Sequence, residues 1–445
     1  MNSDVAIVGL GRVGLPLALS FADRGLSVVG IESDPARLDA VRERRMPFRE
    51  AGAQELLDRV ELTVSAEIAD AARASHIVLA LGTPAFSHIE VDIGVLRQVV
   101  DRLVGELRVG QSLVLRSTVP PGTTDFIAGY LRKKRGFEIG RDFYVAHAPE
   151  RTSSGNFLEE IVSLPCIIGG VGTASGARAA ELFQTLGAPI ILTTPVQAEL
   201  AKVWTNILRY ATFALPNLLM MDAEQHGASV FEVIDLINCD YPRGGMAQPG
   251  LTAGSCLRKD FAFSEERSNV PGMLLAVSRV HESVPRFLID GLQRRMGALA
   301  EARVCVLGLA FKADSDDDRD SLAHKLIRLL DRELAEVSVH DPLVTDGGVP
   351  LEEAAVGAHA VFVATNHTTF RATSTLAVIA ERARPECIVV DPWNCWGAGE
   401  VYSTIGELTA LTAASDGRGA ADRAGGQSDN GKQVGAGSHR AGETH

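Results

Sequence analysis

The sequence predicts an α/β protein: two Rossmann-like doubly wound domains joined by a central helical domain. Three observations carry this expectation. Short apolar runs alternate with helical stretches over the first part of the chain and again from Arg303, the rhythm of parallel sheets covered by helices. Between them the pattern is helical with no strand-like run. The first apolar run ends directly in a glycine turn, Gly9-Leu10-Gly11-Arg12-Val13-Gly14. The predicted boundaries are 1–195, 196–298 and 299–412. A tail over 413–445, made largely of Gly, Ala, Ser, Asp and Arg, is expected to be disordered.

Val5-Ala6-Ile7-Val8 has the length of a buried parallel strand, Leu15 to Arg24 is helical, and a second apolar run from Leu26 to Ile31 ends at Glu32. Strand, glycine turn, helix, strand and acid in this order form a dinucleotide fingerprint. The glycines let a pyrophosphate reach the helix N-terminus. The carboxylate takes ribose hydroxyls and repels a 2′-phosphate, so NAD is expected rather than NADP. The cofactor candidates here are Gly9, Gly11, Val13, Gly14, Glu32 and the nearby Arg37.

Further strands are expected over His76 to Leu81, Gln111 to Arg116, Phe143 to Ala148 and Cys166 to Gly170. They end in Gly82-Thr83-Pro84, in Ser117 to Thr124, and in Pro149-Glu150-Arg151. Ligands of doubly wound sheets gather at the carboxyl ends of strands, which makes Thr83 and Thr118 candidates; turn and cap chemistry is the plainer reading of both.

In the middle region, helices are expected over Ala198 to Ala223, Val230 to Ile237 and Gly272 to Met296. Lys202 and Asn206 lie four apart on one face of the first, a pair that taken alone reads as solvated. Between the helices runs Pro249-Gly250-Leu251-Thr252-Ala253-Gly254-Ser255-Cys256-Leu257-Arg258-Lys259-Asp260. Its glycines admit close backbone approach, and it ends in a thiol, an ammonium and a carboxylate. Nearby cations favour a reactive thiolate, although a lone cysteine is more often a small buried hydrophobe. The acidic run Asp314 to Asp320 lacks the glycine and distal glutamate of a calcium loop; capping of the following helix is expected.

With 445 residues, 46% hydrophobic and 22% charged, the composition is that of a globular protein. A net charge of −13 argues against a nucleic-acid partner. No run reaches the length of a membrane span. Six scattered cysteines without Cys/His clusters point to reduced thiols, a cytoplasmic protein and no metal site.

Together the ordered motifs resemble the nucleotide-sugar 6-dehydrogenases, the family of UDP-glucose, UDP-N-acetyl-D-mannosamine and GDP-mannose dehydrogenases. They are Gly9 to Gly14 with Leu15-Pro16-Leu17-Ala18, then Gly82-Thr83-Pro84, Ser117 to Thr124 and Pro149-Glu150. Ala198-Glu199-Leu200-Ala201-Lys202 with Asn206 follows, then Gly254 to Asp260, and Gly308-Leu309-Ala310-Phe311-Lys312 with Asp316, Asp317 and Arg319. The resemblance implies four-electron oxidation of a sugar C6 alcohol to a carboxylate with two NAD. It implies Cys256 as nucleophile, forming a thiohemiacetal and then a thioester. Lys202 and Asn206 stabilise oxyanion charge, Asp260 and Glu150 handle protons and water, and Thr118 stands near water and nicotinamide. Thr83, Thr118, Lys259 and Arg319 are implied cofactor contacts. Glu150, Arg151, Lys202, Asn206, Gly250, Gly254, Phe311 and Lys312 are implied substrate contacts, with Arg243 reaching a neighbouring subunit of a homodimer. Three positions depart from the family pattern: Ser154 stands for a glutamate, Leu218 for a glutamate and Trp393 for a frequent arginine.

The small residues between Glu150 and Gly155 leave room for a 2-acetamido group and favour a UDP-N-acetylhexosamine such as UDP-N-acetylmannosamine; UDP-glucose is the alternative. Other classes sharing the fingerprint are a two-electron hydroxyacid-type dehydrogenase, which has no need of Cys256, and a non-catalytic NAD- or nucleotide-sugar-binding protein.

Overall fold

The computed structural model describes residues 3–83, 93–252, 254–265 and 272–424. Pro84, Ala253 and residues 425–445 of the expected tail lie outside the described residues.

Two sheets organise the chain. The first comprises β1 (Val5–Val8), β2 (Val28–Ile31), β3 (Thr63–Ser65), β4 (His76–Leu79), β5 (Ser112–Leu115), β6 (Tyr144–His147), β7 (Cys166–Gly170) and β8 (Ile190–Thr193). Their spatial order is β3-β2-β1-β4-β5-β6-β7-β8. Every pairing is parallel except β6 with β7. Strand β1 runs between β2 and β4, with Val5 opposite both Val28 and His76. All four of its residues are buried, as a strand covered on both faces must be. The order reverses between β1 and β4, the place where a doubly wound sheet opens a ligand crevice.

The second sheet comprises β9 (Arg303–Leu307), β10 (Glu336–His340), β11 (Ala360–Val363), β12 (Ile388–Val390) and β13 (Tyr402–Thr404). Its order is β10-β9-β11-β12-β13, with only β12 and β13 antiparallel. The sequence reading missed β3, β8 and β13. Each is short, and β3 and β8 close the two edges of the first sheet with partly exposed side chains; β3 and β13 leave no apolar run to detect, whereas β8 carries one, Ile190-Ile191-Leu192, that the reading passed over.

The long helix Pro195–His226 and the helix Met273–Met296 join the two sheets. The first starts three residues earlier than its apolar pattern suggests, because Thr194 and Gln197 close a capping box and Pro195 takes the first helical position. Tyr210 and His281 stack with ring centroids 4.2 Å apart, and His281 Nε2 lies 2.9 Å from the Tyr210 carbonyl. The helix Ser255–Asp260 packs against the long helix.

Two expectations need correction. The last helix runs Ile405–Ala424, past Ala413, where composition predicted order to end; the alanines that thinned the apolar count are also the strongest helix formers. The acids of 314–320 do not cap the helix Leu322–Arg332. Ser321 does, accepting from the Ala323 N–H at 3.2 Å. Asp316 and Asp317 instead reach the first domain, where Arg12 Nη1 lies 2.6 Å from Asp316 Oδ1 and Nε lies 3.3 Å from Asp317 Oδ2. Arg49 N–H also donates to Asp316, at 2.7 Å.

Candidate active site

The glycine turn stands where β1 meets the helix Gly14–Asp23. Gly9 has φ +94°, and a Cβ there would lie 2.8 Å from the Ala80 carbonyl; a Cβ on Gly14 would overlap the Gly9 carbonyl. Gly11 faces open space. Val13 precedes a helix whose first turn carries no acid and no side-chain cap. The Leu15 N–H is taken by the Gly11 carbonyl at 3.0 Å and Pro16 has none, so the positive end of the helix and the backbone of the turn itself are what face an anion. A dinucleotide pyrophosphate fits this cradle.

Glu32, at the end of β2, is buried. Its Oε2 accepts from Leu10 N–H at 2.9 Å and from Arg37 Nη1 at 3.0 Å, and its Oε1 accepts from the Ser33 and Asp34 N–H groups. Burial raises the carboxyl's pKa, but the Asp34 N–H and Arg37 outweigh it and hold the group below 4.5. The carboxylate is therefore ionised and already bonded to its own turn. For a ribose to take both oxygens, Arg37 must move aside.

The second constellation centres on Asp260, which is fully buried at the end of the helix Ser255–Asp260. Asn206 Nδ2 donates to its Oδ2 at 2.5 Å, and Lys259 Nζ lies 2.5 Å from Oδ1. Lys259 also reaches Thr83 Oγ1 at 3.4 Å, while that hydroxyl donates to the Thr118 carbonyl at 2.8 Å. The chain from Asn206 to Thr118 thus ties the cysteine loop to the carboxyl ends of β4 and β5. Cys256 is exposed in the first turn of its helix. Arg319 is paired bidentately with Asp317 at 2.7 Å. That bond raises its pKa most, and Cys256 is among the groups favouring its charged form. Lys202, one turn before Asn206 and half-buried, makes no hydrogen bond or ion pair among the described residues.

Glu150 is the third part. It is buried beside Arg116, whose Nη2 lies 2.5 Å from Oε2. Arg116 Nη1 also donates to the carbonyls of Ala148 and Pro149 at 2.8 and 3.0 Å. The N–H groups of Arg151 and Thr152 donate to Oε1. Burial works to raise this carboxyl, yet Arg116 and the Thr152 N–H hold it below its ordinary 4.5. Next to it, burial and the charges of Arg116 and Lys202 push His147 down to about 3, so its ring stays neutral.

A group with a depressed folded pKa adds stability above its unfolded pKa and loses it as pH falls through the folded value. Arg116→Met leaves Glu150 buried without its cation, and its carboxyl should then rise. The variant is expected to lose about 3–5 kcal/mol at neutral pH, the deficit shrinking below the ordinary carboxyl pKa. Urea unfolding at pH 7 and pH 4 checks this; a deficit unchanged between them would contradict the pairing.

The remaining candidates close over this floor. Lys312 Nζ donates to the Ser154 carbonyl at 2.7 Å, bridging the third domain to the first, and burial lowers its pKa below 10.5. Phe311 packs against Gly254, where φ is +107° and a Cβ would lie 2.7 Å from the ring. Trp393 lies flat on Gly250 and leaves no room for a side chain there; its Nε1 donates to the Ala364 carbonyl at 3.3 Å. Arg151 lies beside Glu150, with its guanidinium 3.4 Å from the Pro165 carbonyl. Arg243 does not join the group: it is exposed and donates to Tyr241 Oη at 2.9 Å.

Sequence reasoning missed Arg116, Arg12, Glu50 and Glu199. Glu199 is fully buried and accepts from the Gly122 and Thr124 N–H groups at 2.6 and 2.8 Å, fastening the Ser117 to Thr124 loop to the long helix. Glu50 accepts from Gly155 and Phe157 N–H groups, each at 2.8 Å, fixing the loop after Glu150. Among the described residues no group of His, Cys, Asp and Glu could hold a metal ion, and no helix is long and apolar enough to cross a membrane.

A dinucleotide cradle in one Rossmann unit, faced across a cysteine loop by a second such unit, defines an NAD-dependent dehydrogenase of the nucleotide-sugar class. Family models described as the NAD binding, central and UDP binding domains of the UDP-glucose/GDP-mannose dehydrogenase family match residues 3–187, 196–282 and 305–398. The chain is 32% identical to a UDP-N-acetyl-D-mannosamine dehydrogenase of Pyrococcus horikoshii, over 83% of this chain and 91% of the relative. It superposes on the UDP-D-ManNAc dehydrogenase structure from Pyrococcus horikoshii with a TM-score of 0.82 at 31% identity, covering 88% of this chain and 95% of that one. A UDP-glucose dehydrogenase from Pyrobaculum islandicum gives 0.78 at 27% identity, with 88% and 94% covered. The chain belongs to the UDP-glucose/GDP-mannose dehydrogenase family.

Proposed function

We propose that this chain oxidises the C6 alcohol of a UDP-N-acetylhexosamine, UDP-N-acetylmannosamine foremost, to the uronate. The observation that carries the chemistry is the exposed Cys256 on the helix whose Asp260 is held by Asn206 and Lys259. NAD, when bound, would supply the hydride acceptor, a fresh molecule for each of the two oxidations. Cys256 Sγ adds to the C6 aldehyde left by the first oxidation, giving a thiohemiacetal that again carries a C–H bond. Loss of a second hydride leaves a thioester, and water releases the carboxylate and the thiol. Lys202 balances oxyanion charge on C6 oxygen in each step. Asp260 takes and returns protons, Asn206 fixes its orientation, and Glu150 and Thr118 orient the attacking water.

The N-acetyl preference rests on the loop after Glu150. Ser154 Oγ is buried without a hydrogen-bond partner while its carbonyl is engaged by Lys312. A buried hydroxyl left unpaired costs about 1–3 kcal/mol, and an acetamido group offers it both a donor and an acceptor. The names of the similar proteins from Pyrococcus horikoshii and, at 28% identity, Staphylococcus aureus agree with that choice. We expect kcat/KM for UDP-N-acetylmannosamine to exceed that for UDP-glucose at least tenfold, about 1.4 kcal/mol, with two NADH formed per sugar. A tenfold preference for UDP-glucose would make the loop reading wrong; one NADH per sugar would remove the four-electron chemistry.

The enzyme is further proposed to act in the cytoplasm, which its six free thiols suit, and as a homodimer. Trp204, Leu208, Leu215 and Leu218 share one face of the long helix and are 58%, 67%, 49% and 48% exposed, an apolar stripe that a second copy would cover. Light scattering should give about twice the chain mass of 47.4 kDa; a monomer at micromolar concentration would exclude the dimer.

A further inference from the structure

A cavity of about 300 Å³ opens between the helices Met273–Met296 and Leu322–Arg332, and its lining includes none of the catalytic candidates. Four cations line it, Arg258, Lys325, Arg328 and Arg332, against the single carboxylate of Glu282. That carboxylate is already engaged: Lys325 Nζ donates to Oε2 at 2.7 Å, and Arg258 Nη2 lies 2.7 Å from Oε1. The second contact lacks hydrogen-bond alignment, since Oε1 has no hydrogen-bond partner; the guanidinium keeps donors to spare. At the rim Arg258 also donates to the Asp320 carbonyl at 3.1 Å, with the Asp320 carboxylate 3.8 Å away.

Arg328 and Arg332 stand one turn apart on the same helix, and neither has a hydrogen bond or ion pair among the described residues. Like charges at this spacing repel, and a protein with net charge −13 had acids in excess to place there. Ser321, also in the lining, uses its oxygen to cap the helix, which leaves its hydroxyl proton free to donate. Leu329 is the one apolar side chain of the lining and no aromatic ring joins it, so there is no surface on which a base would stack. Guanidinium forks match phosphate oxygens bidentately, and the volume exceeds what one orthophosphate fills.

We propose that this cavity is a second anion site, distinct from the cofactor cradle, that binds a diphosphate group through Arg258, Lys325, Arg328 and Arg332. Arg258 lies two residues beyond Cys256, so an occupant touches the helix that carries the nucleophile.

The test is calorimetric titration of the full-length, NAD-saturated protein with inorganic pyrophosphate, beside the double variants R328Q/R332Q and R328E/R332E. Pyrophosphate should bind the wild type, at least tenfold more weakly to R328Q/R332Q, and not measurably to R328E/R332E, while NAD affinity and Tm stay unchanged in both. Orthophosphate should bind at least tenfold more weakly than pyrophosphate, and ADP no more tightly. Equal binding by wild type and variants, or no binding to the wild type at about 10 mM, overturns the proposal. ADP binding tenfold tighter than pyrophosphate overturns it too, because the recognised group would then be the nucleoside.

Discussion

Cys256→Ala is expected to abolish acid formation, by at least about three powers of ten or roughly 4 kcal/mol in the barrier, while leaving NAD affinity unchanged. The thiol alone can hold the aldehyde as a tetrahedral adduct and so restore the C–H bond that a second hydride leaves; an alanine methyl offers no substitute. The fold should tolerate the change, since Cys256 is exposed and buries little. The cofactor cradle at Gly9 to Gly14 is built from β1, the following helix and the Ala80 backbone, elements remote in sequence from residue 256. Product analysis after a single turnover, together with an NAD titration, decides the matter. Uronate still formed with two NADH per sugar would mean that the adduct forms elsewhere or not at all.

The parts of this site that were legible in the sequence are those governed by local rules. The strand, turn, helix and acid from Val5 to Glu32 carry their own spacing, and Cys256, Lys259 and Asp260 sit within one short run. Asn206 and Lys202 became candidates only through the family resemblance, because nothing local distinguishes them from a solvated pair. What stayed hidden are partners far apart in the chain. Arg116 reads as the last residue of a strand, yet it lies under Glu150 and fixes the turn that presents it. Arg12 reads as a variable position of the glycine turn, yet it meets Asp316 of the third domain. The acids of 314–320 were assigned to a cap by a valid local preference. They lost to Ser321, whose short hydroxyl reaches an N–H two residues on, and one cation that Asp316 and Asp317 face, Arg12, belongs to another domain. Glu199 and Glu50 belong to the same class: buried carboxylates that gather backbone N–H groups from loops far off in sequence. Each such contact fixes one loop around the cleft, so the scaffold of the site is less readable than its reactive groups.

Lys202→Met should separate catalysis from structure. The ammonium has no ion pair or hydrogen bond among the described residues. Methionine keeps most of the stem and a good helix propensity, so stability should change by no more than about 0.5 kcal/mol. The charge is nevertheless felt at the site, since Lys202 is one of the groups that push the buried His147 down to about 3. It stands one turn before Asn206, which holds Asp260 at 2.5 Å. A cation there is useful where negative charge develops on the C6 oxygen, and removing one preorganised donor of this kind costs about two to three powers of ten in kcat. KM should move far less, because the ground-state alcohol carries no charge for the ammonium to balance. Steady-state kinetics and a thermal melt on the same preparation check both halves. Near-normal turnover with a lowered Tm would mean that Lys202 supports the helix rather than the chemistry.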